Sequence, residues 1–263
     1  MAGYEVNSMG IRHSLLDSAN LIARTGFAFN ERLPVYYHGH WIWLSRRCWT
    51  TLYTRYESYI AKVIKANLSR GDTFWDIGAH VGLYSLFVSK IVGPEGSVFA
   101  FEPSPDVFLL LRSNTQDKNN IQTFQYGIGS TEGTASFAAQ GISSMGSFVE
   151  EVTEISRHHH PTEQIHKVLV TTRKIDALLN ELRNPSLIKI DVEGFELEVL
   201  KGSERLLSEI RPILIIEVHP YQLMLSSGTE QTLFDRLQHY DYDWNVIDRN
   251  PNSVYTIVAN PQG

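Results

Sequence analysis

Cysteine is nearly missing from this chain. Cys48 is the only one in 263 residues, so no internal disulfide can form, and that usage fits a reducing, cytoplasmic setting. Cys48 lies among Arg46, Arg47 and Trp49 with no evident catalytic partner, and it reads as a packed thiol. No apolar run reaches the roughly 20 residues that a bilayer-crossing helix requires. A basic stretch followed by an apolar core is also missing from the N-terminus, so neither a secretory signal nor a membrane partner is expected. Positive charge is in deficit: 23 Lys and Arg stand against 29 Asp and Glu, a net charge of -6, which leaves no broad basic field to recruit nucleic acid. Internal repeats and low-complexity linkers are absent too. What remains is the composition of an ordinary globular protein, 43% hydrophobic and 20% charged, long enough for one α/β domain with an appendage.

The first 68 residues read as a cap of helix, hairpin and helix. Ile11, Leu15, Leu16, Ala19 and Ile22 form a helical stripe within residues 10 to 24, and this exposed-looking helix leaves room for a homodimer. "VYYHGHWIWLS", 35 to 45, places two β-prone aromatic runs about a glycine, with Tyr36, Tyr37, Trp41 and Trp43 expected in the cap's own core. Leu52, Tyr56, Tyr59, Ile60, Val63 and Ile64 share one face of a second helix, 51 to 67. From residue 69 to 263 short apolar strands alternate with helices, the signature of a parallel sheet. Strands are expected at 73–77, 97–101, 121–126, 187–191 and 212–218, then 242–247 and 254–259. Helices are expected at 82–92, 105–118, 175–183, 195–208 and 229–239. Between 131 and 173 the rhythm breaks, and about 139–167 reads as a lid insertion over an acceptor. The histidines at 158–160 and His166, without cysteine or ligand spacing, read as a solvated stretch of that lid rather than a zinc site.

"FWDIGAHVGLYSLF", 74 to 87, runs from a buried strand through a glycine-bearing turn into a helix. In a doubly wound sheet, ligands bind beyond the carboxyl ends of the strands, where helix N-termini point unpaired amides. Gly78 permits the sharp turn, and Gly82 lets the helix approach a ligand with no Cβ in the way. The next strand ends in Glu102, placed to accept hydrogen bonds from ribose hydroxyls. A dinucleotide loop would carry G-x-G-x-x-G; the order here is Gly78-Ala79-His80-Val81-Gly82. Asp76 before the loop repels phosphate and favours a sulfonium or an ammonium. S-adenosylmethionine satisfies all of these features.

At the fourth strand the pattern becomes specific. "LIKIDVEGFELEVLKGSERLL", 187 to 207, and "RPILIIEVHP", 211 to 220, join "FWDIGAHVGLYSL", "FAFEPSP" and "YGIGSTEGTASF" in order. Over about residues 70 to 220 the chain resembles the FkbM family of S-adenosylmethionine-dependent methyltransferases. The resemblance implies a class I methyltransferase fold: a Rossmann-like, doubly wound, seven-stranded sheet with its last strand antiparallel. It places Asp76, Gly78, Ala79 and Gly82 in the cofactor loop and makes Glu102 the ribose acid, flanked by Pro103 and Ser104. Gly127, Ile128 and Gly129 would line the adenine, Asp191 would face the methionine moiety, and Ser144, with Ser143 and Met145, would lie in the lid near the cofactor. The chain departs from the family at His80, where asparagine is common, at Ser130, where an acid is frequent, and at Phe195, where histidine often follows.

The acceptors that this resemblance implies are small molecules, typically hydroxyls of sugars, polyketides or other natural products. A hydroxyl acceptor benefits from a base. Candidates lie at the ends of the fourth and fifth strands: Asp191, Glu193, Glu217 and His219, with His219 the first choice for its pKa near neutrality. Glu193 reads equally as a cap for the following helix. Asp191, Glu217 and His219 could also hold magnesium, but histidine is a poor ligand for it, and no metal is expected. The rival functions are a carboxyl O-methyltransferase acting on a peptide or other carboxylate, a nicotinamide-dependent oxidoreductase, and a non-catalytic cofactor-binding module.

Overall fold

The computed structural model describes residues 32–48, 58–140, 146–148, 165–226, 228–249 and 253–263. The expected helix at 10–24, the start of the helix at 51–67, Ser143, Ser144, Met145 and the histidines at 158–160 lie outside the described residues. In chain order come β1 (Arg32–Tyr37), β2 (His40–Ser45), α1 (Ser58–Asn67), β3 (Thr73–Ile77), α2 (Leu83–Val92), β4 (Ser97–Phe101), α3 (Pro105–Thr115), β5 (Ile121–Phe124), β6 (Tyr126–Ile128), β7 (Gly133–Gln140) and β8 (Ile165–Arg173). There follow α4 (Ile175–Leu178), β9 (Leu187–Ile190), α5 (Glu196–Lys201), β10 (Ile213–Val218), α6 (Pro220–Leu225), α7 (Glu230–His239), β11 (Tyr242–Arg249) and β12 (Tyr255–Pro261). No helix among the described residues is long and apolar enough to cross a membrane.

Seven strands form one sheet in the order β5-β4-β3-β9-β10-β12-β11. Neighbours from β5 to β10 pair in parallel, whereas β12 runs antiparallel to both β10 and β11. This is the expected sheet with its last strand reversed. Both faces are covered, so the strands are apolar on both sides, and period-2 alternation sorts their residues between two cores. Trp75, Ile77, Ile188, Ile190, Leu214 and Ile216 join one core with α5, α6 and α7. Phe74, Leu187 and Ile215 face the other, with Tyr37, Ile42, Leu44, Ile60, Ile64 and Phe87. That second face also carries Asp76, Lys189 and Glu217, all nearly or fully buried by the hairpin and α2.

The hairpin turns at His38 and Gly39, whose φ angles of 43° and 91° suit a tight two-residue connection with glycine second. Only Tyr37 of its four aromatics enters the core. Tyr36, Trp41 and Trp43 are 55%, 59% and 49% exposed, because alternation sends them to the outer face of a two-stranded ribbon covered on one side only. The expected cap core therefore holds for Tyr37 alone.

Other differences cluster where the strand rhythm breaks. The expected strand 121–126 splits into β5 and β6, and β6 leaves the main sheet to join a second, three-stranded one in the order β6-β8-β7. The stretch 131–173 contains β7 and β8, antiparallel from Gly133 opposite Thr172 to Gln140 opposite Ile165. Its β-branched run "IHKVLVTTR" pairs as a strand although the polar stretch "HHHPTEQ" before it suggests loop. The helix expected at 195–208 stops at Lys201, where a Cβ on Gly202 would stand 2.1 Å from the Gly129 carbonyl oxygen, and a π-helical turn at Leu206–Ile210 follows.

One buried side chain adds a polar tie between cap and main domain to the apolar core they share. Asn114 of α3, fully buried, accepts from the Ser45 amide at 2.7 Å and donates to the Val81 carbonyl at 2.8 Å and to Cys48 Sγ at 3.6 Å. Cys48 is buried as expected of a packed thiol, and burial raises its pKa. Replacing Asn114 with alanine strands a buried donor and a buried acceptor. Asn114→Ala is expected to lower stability by roughly 2–4 kcal/mol, read from the midpoint of urea unfolding.

Candidate active site

The turn after β3 is built by backbone constraints. Gly78 and Ala79 donate to the Phe101 carbonyl at 3.0 and 2.9 Å, which folds the loop across the end of β4. Gly78 has φ 75°, and a Cβ there would stand 1.8 Å from the Asp191 carbonyl oxygen at the end of β9. No larger residue fits, so the first and fourth strand ends are locked side by side. Gly82 has a different task from the one expected. At φ 87° its Cβ position lies 2.7 Å from Leu111 of α3, so the lack of a side chain serves helix packing rather than ligand approach. His80 takes φ 51°, a left-handed conformation that histidine and asparagine both tolerate, which accounts for histidine at this place.

Beyond these strand ends lies a cleft open to solvent, with about 610 Å³ of space between its walls and its mouth. Gly78, Glu102, Pro103, Ser104, Gly127, Ile128 and Asp191 of the expected residues line it. Ala79, Gly129 and Asp76 lie behind its wall: Asp76 is wholly buried, with Oδ2 accepting from Ser85 Oγ at 2.6 Å. Burial raises the Asp76 pKa, and Lys189 and Ser85 oppose the rise. Glu102, 7% exposed, accepts from the amides of His80 and Ser104 at 3.0 and 2.9 Å. Burial pushes its pKa up to about 7 against those two hydrogen bonds. Beside it the Ser104 hydroxyl is buried with no hydrogen-bond partner among the described residues. An orphaned hydroxyl next to a buried carboxylate is a place for a ligand's polar edge, and a ribose diol meets that demand.

Aromatic rings that sequence reading did not single out close the cleft. Phe137, Phe148 and Tyr126 line it. Phe148 stacks on Phe195 at 4.7 Å and meets Phe137 edge-on at 5.0 Å. A Cβ on Gly127 would strike the Phe148 ring at 2.2 Å, and one on Gly129 would strike Phe195 at 2.8 Å, so the two glycines of "GIG" make room for these rings. Phe148 belongs to a strap, residues 146–148, tied to β7 by reciprocal Ala138–Ser147 backbone bonds and to Glu193 by the Ser147 hydroxyl at 3.1 Å. This much of the expected lid reaches the cleft, and Ser144 lies outside the described residues. Ser130 turns to Glu198 of α5 and is not among the lining residues.

The ends of β9 and β10 gather buried charge. His219 is 2% exposed, with Nδ1 2.7 Å from Glu196 Oε1 and Nε2 3.3 Å from Glu193 and 4.0 Å from Glu217. Burial alone would lower its pKa, but Glu193, Glu196 and Glu217 push it up to about 10. The acids around His219 favour its protonated form, which works against the expected role as base. Glu193 does not cap the helix, since it sits at φ 50° in the turn, lines the cleft and faces His219. Asp191, Glu217 and His219 bring possible ligand atoms within 4.8 Å of one another. The set suits magnesium poorly, because both ring nitrogens of its protonated histidine act as donors to carboxylates. Lys189, which sequence reading passed over, pairs with Asp191 at 3.0 Å. Its signal was a lone lysine in an otherwise apolar strand.

The model of the methyltransferase FkbM domain family matches residues 76–243. Hexuronic acid methyltransferase AglP of Haloferax volcanii is 29% identical over 174 residues, which cover 65% of this chain and 66% of that protein. Methyltransferase sdnD of Sordaria araneosa is 29% identical over 162 residues, 52% of this chain and 62% of that protein. The chain thus spans less than two thirds of the length of these relatives. Among solved structures, the methyltransferase FkbM from Methylobacillus flagellatus overlays 98% of this chain and 62% of that chain, with 16% identity and a TM-score of 0.48.

The state of His219 has a measurable consequence. Its folded pKa, about 10, lies above the value of about 6.5 for a free histidine, so the stability it contributes is complete below pH 6.5 and is lost as pH rises toward 10. Unfolding free energies from urea titration are expected to fall by roughly 1 kcal/mol per pH unit between pH 7.5 and 9. The slope should flatten in His219→Gln; an equal slope in that variant would place the titrating group elsewhere.

Proposed function

The chain belongs to the methyltransferase FkbM domain family, and we propose on that premise that it transfers a methyl group from S-adenosylmethionine to an oxygen of a small natural-product acceptor. The observation that carries the reading is the pairing of Glu102 with the orphaned Ser104 hydroxyl at the end of β4, both lining the cleft. Two ribose hydroxyls donating to Glu102, and Ser104 bonding at the same edge, would satisfy this group of atoms. The adenine would lie along Gly127 and Ile128 against Phe148, and the amino-acid end would reach Asp191. The charge around the cleft supports the choice of ligand: the buried Asp76, Glu102, Glu193, Glu196 and Glu217, with Asp191 at the cleft, outnumber the buried cations Lys189 and His219 among the described residues. Such a deficit favours a ligand that carries a sulfonium and an ammonium, and it opposes the pyrophosphate of a nicotinamide dinucleotide.

When bound, the cofactor supplies a methyl group that is already electrophilic. The protein's share is to hold the acceptor oxygen in line with it, which can supply roughly 7–11 kcal/mol. Loop and strand ends locked through Gly78 and Asp191 provide a rigid frame for that alignment, and the 146–148 strap shields it from water. For a hydroxyl acceptor of sugar or polyketide type, the proton would pass to Glu193, the lining carboxylate that neither the ribose nor the ammonium takes up. The state of His219 favours a second reading, a carboxylate acceptor, which needs no base at all. A relative named for hexuronic acid fits a sugar acid of this kind.

Incubation with isotopically labelled cofactor and pooled small-molecule extracts, followed by mass spectrometry, tests the activity; folded protein that labels nothing would defeat it. Mild alkali then separates the acceptor classes, since a methyl ester is cleaved and a methyl ether survives. Glu102→Ala is expected to weaken binding of S-adenosylhomocysteine by about 2–4 kcal/mol. Because the carboxylate form accepts the ribose hydroxyls and its pKa is about 7, wild-type affinity should fall as pH drops below 7. Calorimetry between pH 6 and 8 checks this, and an affinity flat across the range would remove Glu102 from the ribose.

A further inference from the structure

We propose that Lys189 is a positioning residue of this site: it holds the Asp191 carboxylate in the orientation that receives the ammonium at the amino-acid end of the cofactor. The inference deepens the cofactor reading above and rests on it. Lys189 stands on β9 in direct register with Asp76 of β3, on the sheet face covered by α2. It is 2% exposed, a depth that lysine almost never reaches unpaired. Its Nζ lies 3.0 Å from Asp191 Oδ2 and 5.1 Å from the centre of the Tyr84 ring. On its far side Asp76 is wholly buried, with Oδ1 lacking a hydrogen-bond partner among the described residues. The cation thus lies between two acids, of which only Asp191 reaches the cleft.

Neutralising the buried Asp76 accounts for part of this lysine's place, and its bond to Asp191 adds a second role. A well-packed apolar residue in place of a buried ion pair is often as stable or more so, and the neighbouring positions of β9 are Leu187, Ile188 and Ile190. What the lysine adds is direction. The Asp191 main chain is fixed, because its carbonyl oxygen abuts Gly78 where a Cβ would stand at 1.8 Å. The carboxylate keeps only its side-chain torsions, and the bond from Lys189 to Oδ2 restricts these. Glu102 and Ser104 are assigned to the ribose, so Asp191 stands at the other end of the ligand, where an ammonium would be.

Two ligands separate this role from a structural one. S-adenosylhomocysteine carries the amino-acid end; 5′-methylthioadenosine keeps the nucleoside and the sulfur but lacks that end. In Lys189→Met, calorimetry should show S-adenosylhomocysteine bound roughly ten- to a hundredfold more weakly, with 5′-methylthioadenosine unaffected. Lys189→Arg should restore part of the loss, and Lys189→Met combined with Asp191→Asn should bind no worse than Asp191→Asn alone. Equal loss for both ligands, or full affinity for S-adenosylhomocysteine in Lys189→Met, overturns the assignment. If Lys189→Met fails to fold by circular dichroism, Lys189→Gln is read by the same criteria. Wild-type protein that binds neither ligand would instead bring down the cofactor reading on which the proposal stands.

Discussion

Charge buried on one face of a parallel sheet is the constraint around which this molecule is arranged. Asp76, Lys189 and Glu217 stand two residues beyond Phe74, Leu187 and Ile215 on β3, β9 and β10 and so share their face, the side covered by the hairpin and α2. An ionised group in such a place is tolerated only if partners replace its water. Ser85 and Lys189 attend Asp76, Asp191 attends Lys189, and the acids around His219 hold it as a cation. Each partner sits at a strand end or in the first turn of the next helix. The neutralising groups therefore gather at the carboxyl edge of the sheet, where a ligand also has to bind, and the same residues serve the fold and the site.

The frame that carries this charge is held by close backbone approach. Gly78 against Asp191, and Gly202 against Gly129, bring main chains together where no Cβ can enter. Contacts of that kind resist small adjustments, since relieving one clash shifts a whole strand end. Asn114 extends the same rigidity outward, linking Val81 of the loop to Ser45 and Cys48 of the hairpin through one side chain. The hairpin and the loop at 78–82 are joined through that residue, although no hairpin side chain among the described residues lines the cleft.

Much of this was legible in the sequence, and the failures have physical causes. Strands 73–77 and 97–101 were found to the residue because a fully buried parallel strand is a short apolar run with sharp ends. The loop, Glu102 and Asp191 were legible because their place at strand ends follows from the alternation alone. The sheet of β6, β7 and β8 was not, since its strands are half exposed and lie among the glycines and serines that mark turns. Side-chain state was harder still. His219 looked like a base because the free imidazole titrates near neutrality, yet its charge depends on Glu193 and Glu196, which approach it only after β9 and β10 pair. Lys189 was overlooked for the opposite reason: one lysine in an apolar strand looks like an edge residue until the register places it across from Asp76.

The protonated state of His219 also limits the chemistry. The contacts of Glu193 and Glu196 with His219 favour its charged form and hold the turn at 193–196 against the end of β10. Under the proposed function the carboxylates at the cleft would take up the proton; they are weak bases toward an alcohol but adequate late in a transfer to an already electrophilic methyl. A site of this kind does better by alignment than by proton abstraction. The geometry is in keeping with that division of labour: glycine-locked strand ends, a lysine paired with the Asp191 carboxylate, and aromatic rings stacked through Phe148 and Phe195. Departure from the family at Phe195 belongs to the same design, because the ring at that position props the strap that closes the cleft, where a histidine would bring another titratable group beside Glu193 and Glu196.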